Sequence, residues 1–450
     1  MNGLMRNITR ALGVAVLAGG TAVAVTSVAL TGTTAAGYTD TAVAVESTIT
    51  MPAEYLAVST QFEQTSVALS GGYVWVWGVK DNGMSGLGVK DPGDASPKPV
   101  HTLPNVTKVV GASDLGEATG TFGALTEAGE VYTWGLNKLG RLGIGTTTGN
   151  SDYRDTPQKV VFPDNERVID LGSMRATMAA LTESGKVYTW GSGQYGQAGN
   201  GSTRETDGPI APFLVIENAH SMHVGQRMTW VITRDNHVYW WGRSIDGENG
   251  AATVANNPSP ELITQMDPFA IGSEAPAVAQ GDPSDACNIQ TLTSSRQASA
   301  MVTADGQVYT FGNSANGQTG RPGNTAVSRQ IVALGLPEPV ESVSAGNYHF
   351  TALTISGEVW GWGDNASWAA SGNIRPDGST GQGTTDAATP IKLPLADIIA
   401  LGGSRDTSYA TRADSVLIGW GATDGGAILG ASGARATFTS LALPGIRPGS

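Results

Sequence analysis

The side chains able to do chemistry are few and poorly grouped. The chain has five histidines, His101, His220, His223, His237 and His349, and a single cysteine, Cys287. His220 and His223 are three apart, a spacing that serves a metal on a helix. Here they lie in a segment with strand character, where three apart means opposite faces. Cys287 has no paired histidine and no second thiol, so it reads as a small loop residue. Asp282-Pro283-Ser284-Asp285 and Asp364-Asn365 resemble fragments of a Ca²⁺ loop but lack its spacing and its closing Glu. There is no His-Glu-x-x-His, no phosphate loop and no nucleophile elbow. These absences predict a non-enzyme with no metal and no cofactor. The alternative they leave open is a carbohydrate- or ligand-processing enzyme whose carboxylates meet only in the fold.

Those residues sit on an unusual background. Of 450 residues, 61 are Gly, yet 40% are hydrophobic and 11 are Trp. That combination implies many short strands joined by tight turns rather than disorder. The net charge is −13, with no Lys/Arg run, which argues against nucleic acid. The first 36 residues read as a targeting segment. Arg6 and Arg10 precede an uncharged apolar stretch, Ala11 to Leu30, and small residues at Thr34 and Ala36 or at Ala42 and Ala44 offer cleavage points. The stretch is also long enough for an uncleaved membrane anchor, the one membrane contact expected. Its removal takes two positive charges from −13 and leaves −15. Residues 37–54 read as a linker and 447–450 as a tail.

Self-comparison reveals a repeat between 55 and 446. The segments are VALSGGYVWVWG (67–78), ALTEAGEVYTWG (124–135), ALTESGKVYTWG (180–191), VITRDNHVYWWG (231–242), MVTADGQVYTFG (301–312), ALTISGEVWGWG (352–363) and YATRADSVLIGWG (409–421). Their terminal aromatics are 57, 56, 51, 70, 51 and 58 residues apart. Each is a strand, a tight turn and a second strand of period two. The residue two before the aromatic shares its face: Trp75, Tyr132, Tyr188, Tyr239, Tyr309, Trp360 and Ile418. The other face is slim, as at Thr133, Thr189, Thr310 and Gly361, so that packed sheets interdigitate. Trp240 breaks that series, either as a local exchange of volumes or as an exposed anchor. A Gly-rich connection, a Pro and two further β segments complete a unit. Four strands per period describe an all-β propeller, here seven-bladed with four-stranded blades. The post-Pro strand around Ala436 to Pro444 predicts that the ring closes by exchange of strands between the N- and C-termini. The long fourth interval predicts a loop insertion near 258–289.

The repeat resembles that of the regulator of chromosome condensation family. The sixth unit carries it most fully: Ala345-Gly346-Asn347-Tyr348-His349, Ala352-Leu353-Thr354, Gly357, Val359 and Trp362-Gly363. The resemblance implies a propeller that binds partners across one ring face. With the targeting segment, the expectation is a secreted or cell-surface protein-binding scaffold, a monomer, whose partner is a protein or an anionic glycan. Counting back from each A-L-T strand places Arg175, Arg227, Arg296 and Arg405 at matching loop positions, where the sixth unit supplies Tyr348 and His349. Tyr195, Trp240 and Trp368 are the aromatic candidates for the same surface.

Overall fold

In this computed structural model the described residues are 28–33, 39–44 and most of 58–441; the longest stretches left out of the latter are 89–97, 270–288, 375–385 and 423–434. The chain divides into two compact units, Met1–Met51 and Pro52–Ser450. In the first, β1 (Val28–Thr33) and β2 (Thr39–Ala44) pair as an antiparallel hairpin. The rest of the expected targeting segment lies outside the described residues.

The second unit is built of four-stranded antiparallel sheets, each from consecutive strands. The N-terminal one contains β3 (Val58–Gln61), β4 (Thr65–Ser70), β5 (Tyr73–Gly78) and β6 (Lys98–Val100). Six more follow from Val106 to Leu441. The second sheet is β7 (Val106–Ser113), β8 (Gly120–Thr126), β9 (Val131–Leu136) and β10 (Tyr153–Lys159). The third is β11 (Val168–Met174), β12 (Thr177–Thr182), β13 (Val187–Gly191) and β14 (Phe213–Ile216). The fourth is β15 (Ala219–Val224), β16 (Met228–Thr233), β17 (Val238–Ser244) and β18 (Ala255–Leu262). The fifth is β19 (Ile289–Ser294), β20 (Ala298–Thr303), β21 (Val308–Asn313) and β22 (Val327–Leu334). The sixth is β23 (Val340–Ala345), β24 (His349–Thr354), β25 (Val359–Gly363) and β26 (Ala387–Lys392). The seventh is β27 (Ile398–Gly403), β28 (Thr407–Arg412), β29 (Leu417–Ala422) and β30 (Arg435–Leu441). These are the four-stranded blades of an all-β propeller.

Each repeated motif forms the two middle strands of a sheet. Their residues are almost wholly buried, as in β8, β12, β16, β20 and β24. The first strands lie side by side, each beside that of the next sheet, and β27 lies beside β3. Each first strand from β7 to β27 carries a bulge at the same place, with Thr107, Ile169, His220, Gln290, Glu341 and Ile399 as the extra residues. A bulge adds a residue and shifts the alternation of faces.

Two expectations are corrected here. Strand exchange between the termini is not what the pairing gives: β30 is the outer strand of its own sheet, beside β29, and the N-terminal sheet has its own fourth strand in β6. That strand is only three residues long, Lys98-Pro99-Val100, which is why the sequence pattern concealed it. The expected insertion also starts too early. Pro258 and Pro260 belong to β18, an outer strand where a missing N–H is tolerated. Ile263 and Met266 then turn into the core. Cys287 and the Asp282–Asp285 fragment lie outside the described residues.

Candidate protein-binding face

The strands of each sheet alternate in direction. The loop after the first strand and the connection after the third therefore open on one face of the propeller, and the tight turn between the second and third opens on the other. The loop positions read from the repeat meet on the first face. The Gln226 N–H donates to the Ser294 carbonyl at 3.3 Å, the Arg296 N–H to the Asn347 carbonyl at 2.8 Å and the Asn347 N–H to the Arg405 carbonyl at 2.8 Å. Backbone hydrogen bonds thus join the loops of the fourth to seventh sheets into one arc.

Side chains continue the arc. The Arg296 guanidinium lies 5.3 Å from the centre of the Tyr348 ring. Arg175 lies 5.3 Å from the Tyr195 ring, and Arg243 approaches the same ring at 5.7 Å. Such cation–π contacts hold a guanidinium flat and in place. Tyr195 has φ +63, the left-handed region, as does Leu139 at the same point of the second sheet's Gly-rich connection. Bulky residues rarely accept this conformation, and it turns the half-buried Tyr195 ring toward the two arginines. Arg227 is only 7% exposed, and its carbonyl accepts from the Arg243 N–H at 2.9 Å. Arg405 is paired with Asp406 at 3.3 Å.

Two candidate residues do not belong to this surface. His349 is buried in β24, where its Nε2 meets the Ser408 hydroxyl at 2.8 Å. That hydroxyl donates to the Ala369 carbonyl at 2.9 Å, so it accepts from a neutral imidazole bearing its proton on Nε2. Burial holds the His349 pKa down to about 4. Trp240 is fully buried among Met228, Trp230, Ile263, Met266, Met301 and Phe311. The fifth repeat carries Phe311 where most others carry Trp, and Trp240 packs in the same cluster, an exchange of volumes rather than an anchor.

Sequence reasoning missed Arg243 and Glu248. Glu248 lies at the position of Gln197 and Gln318 in the Gly-rich connections, and it is 1% exposed. Its Oε2 accepts from the Asp246 N–H at 2.7 Å and the Ser244 hydroxyl at 3.4 Å, while Oε1 is buried without a hydrogen bond. Burial holds the carboxyl up to about 7. Aligning the Gly-rich connections, and not only the A-L-T strands, would have exposed it.

The axis of the propeller was the other candidate. The first strands line a cavity of about 470 Å³ with Lys108, Asp170, His220, Ser221, His223, Gln290, Thr291 and Thr293 among its walls. Both histidines face it, contrary to simple alternation, because the bulge at His220 shifts the phase. His223 Nε2 meets the Ser221 hydroxyl at 3.2 Å, and enclosure lowers its pKa to about 4 against the opposing pull of Asp170. Asp170 is the one carboxylate in the described lining, and Lys108 holds it at 2.6 Å. Among the described residues no three His, Cys, Asp or Glu gather to hold a metal.

Fold and surface together define a β-propeller of four-stranded blades with an arginine- and tyrosine-bearing loop face. Segments of the chain match the Regulator of chromosome condensation (RCC1) repeat, at residues 128–173, 184–229 and 305–353, and a second form of that repeat at 340–367. The mouse E3 ubiquitin-protein ligase HERC2 is 28% identical over 311 residues, which are 67% of this chain and 6% of the ligase. The chain therefore spans only a small part of that relative. The Arabidopsis thaliana ultraviolet-B receptor UVR8 is 27% identical over 382 residues, 82% of this chain and 77% of the receptor. Among solved structures, Prp20p from Saccharomyces cerevisiae, described with its binding to Gsp1p and histones, superposes with a TM-score of 0.63 at 21% identity, covering 79% of this chain and 81% of that one. Human WBSCR16 gives 0.63 at 18% identity, covering 83% and 94%. At these identities the structural likeness speaks for the fold.

Proposed function

We propose that this protein is a secreted or cell-surface scaffold, a seven-bladed ring that binds a protein partner across the face carrying Arg175, Arg227, Arg243, Arg296, Tyr195 and Tyr348. One observation carries the reading. Arg227, Arg243 and Arg296 have no carboxylate partner among the described residues. On the opposite face Arg234 likewise bonds only the Glu183 and Ser184 carbonyls among the described residues, but most other cations are paired. There Lys159 pairs with Glu130 at 2.5 Å, Lys392 with Glu358 at 2.5 Å, Arg412 with Asp414 at 2.6 Å, and Lys186 with Glu166. An acidic protein that gathers three arginines without a carboxylate on one face has a surface poised for a partner, since arginine is enriched where interfaces concentrate their energy. Prp20p, of like fold, supports a protein as the partner class through its reported binding to Gsp1p and histones. The neighbouring first strands, with β27 beside β3, support closure as one ring. Arg6, Arg10 and the apolar stretch behind them support export, which N-terminal sequencing of the chain released by the source cells would test.

The binding test uses the chain from residue 37 as bait on culture supernatant and cell envelope. Arg227→Ala with Arg296→Ala should weaken the captured complex about tenfold or more, roughly 1.4 kcal/mol, and flatten its salt dependence. Unchanged affinity and salt slope would move the binding surface to the aromatic side chains Tyr195 and Trp368.

A further inference from the structure

We propose that the partner meets this face with an acidic protein segment whose carboxylates seat on Arg227, Arg243 and Arg296, and that Glu248 beside Arg243 regulates the contact. The inference rests on the loop face being the binding surface. Three features point to carboxylates spaced along a chain. Arg227 and Arg243 belong to the fourth sheet and Arg296 to the fifth, and main-chain hydrogen bonds join their loops, so the three suit charges at intervals rather than one compact anion. Two are held against phenol rings, which lowers the entropy cost of engaging them. A guanidinium fork also matches a carboxylate in two parallel hydrogen bonds. The buried Arg243 Nη1 and Arg296 Nε make no hydrogen bond within the protein.

Glu248 tunes the charge of this site. The charged groups acting on it are Asp246 in its own loop and Arg243 at the end of β17. From the fifth sheet, Asn313 donates to Asp246 at 3.2 Å and the Ser299 hydroxyl donates to the Glu248 carbonyl at 2.5 Å, and neither carries charge. While Glu248 is neutral, Arg243 acts as a full cation toward a ligand. Once Glu248 ionises, its charge weakens the pull of Arg243 on an anion. Its titration near pH 7 places that change between pH 6 and 8, where glutamates of a partner stay ionised.

The test is fluorescence anisotropy with the full chain and a fluorescein-labelled hexaglutamate peptide, beside hexaglutamine and a heparin oligosaccharide. Hexaglutamate should bind and hexaglutamine should not. Arg243→Met with Arg296→Met, which keep the stems over the tyrosines, should weaken binding at least tenfold without moving the melting midpoint. Affinity should fall several-fold from pH 6 to pH 8, and Glu248→Gln should abolish that fall. Equal binding of hexaglutamine, or no loss in the double variant, overturns the acidic-segment proposal. Tighter, arginine-dependent binding of heparin overturns it in favour of a glycan. A pH dependence that survives Glu248→Gln overturns the regulatory part. Should hexaglutamate fail to bind while a captured partner still loses affinity in the Arg227→Ala, Arg296→Ala protein, this inference falls and the loop face stands. Should the captured partner be indifferent to those changes, the face itself is wrong, whatever the peptide does.

Discussion

Glu248 is also the residue at which the fold itself should respond to pH. A carboxyl whose pKa rises from 4.5 to about 7 on folding holds its proton more tightly in the native state. Its burial therefore costs nothing below pH 4.5. Stability falls as pH rises from there to about 7 and stays reduced above it. The shift sets an upper bound of about 3 kcal/mol on that cost. Gln197 and Gln318 fill the equivalent position with a neutral group of the same shape. Glu248→Gln should thus raise the melting midpoint clearly at pH 8 and hardly at pH 4.5; a gain equal at both pH values would show that the carboxyl is not strained. His349 and His223 act in the opposite sense. Both are held neutral with pKa values of about 4, so the unfolded chain takes up their protons first and stability is lost as pH falls from 6.5 toward 4. His349→Gln should flatten the acid limb of a denaturation profile between those values. The sequence made His349 look like a surface ligand because the repeat motif marks the position and says nothing about depth.

Between elements, the repeated indoles hold neighbouring sheets together. Trp134, Trp190, Trp241, Trp362 and Trp420 each donate Nε1–H to a carbonyl in the Gly-rich connection of the preceding sheet, those of Met84, Arg141, Gln197, Gln318 and Ala369, at 2.9 to 3.2 Å. The same connection must come very close: a Cβ at Gly143, φ +68, would lie 2.7 Å from the Trp190 ring. Phe311 has no N–H to give, and there the Ser299 hydroxyl donates to the matching Glu248 carbonyl. Trp190→Phe should cost about 1 kcal/mol for the lost bond, with more from the lost ring volume. Ser299→Ala should cost about as much, because it leaves a buried carbonyl unpaired; a neutral Ser299→Ala would deny the substitution of one donor for another. Strands, turns and the indole positions were legible because period-two alternation and Gly placement are local properties. The bulges were not, since an extra residue in a first strand leaves no mark on composition, and with them went the true facing of His220 and His223. β18 was hidden by Pro258 and Pro260, which argue against a central strand but are compatible with an outer one.

At the scale of the molecule, the question is what closes the propeller. Repeat spacing located the units, but closure depends on which strand of one end meets which strand of the other, and sequence periodicity carries no information about that. The pairings make each terminal sheet complete by itself, so the ends meet through first strands, β27 beside β3, and not through a shared sheet. Two deletions separate these modes. Removing 435–450 takes away β30, an outer strand whose Phe438 packs against Trp420, ring centres 5.3 Å apart. It leaves β27 and β3 in place. The expected result is a midpoint lower by several degrees, as for the loss of a partly buried aromatic, with one cooperative transition retained. Removing 58–100 takes away β3 itself and opens both β7 and β27 on the inner ring. Each unit buries its faces against its neighbours, so that loss should broaden the transition, lower the midpoint by well over ten degrees and promote association through the newly exposed faces. Calorimetry on the two truncated chains decides it. If the C-terminal deletion proves the more damaging, the outer strand closes the ring, and the contact between β27 and β3 is a consequence of closure rather than its cause.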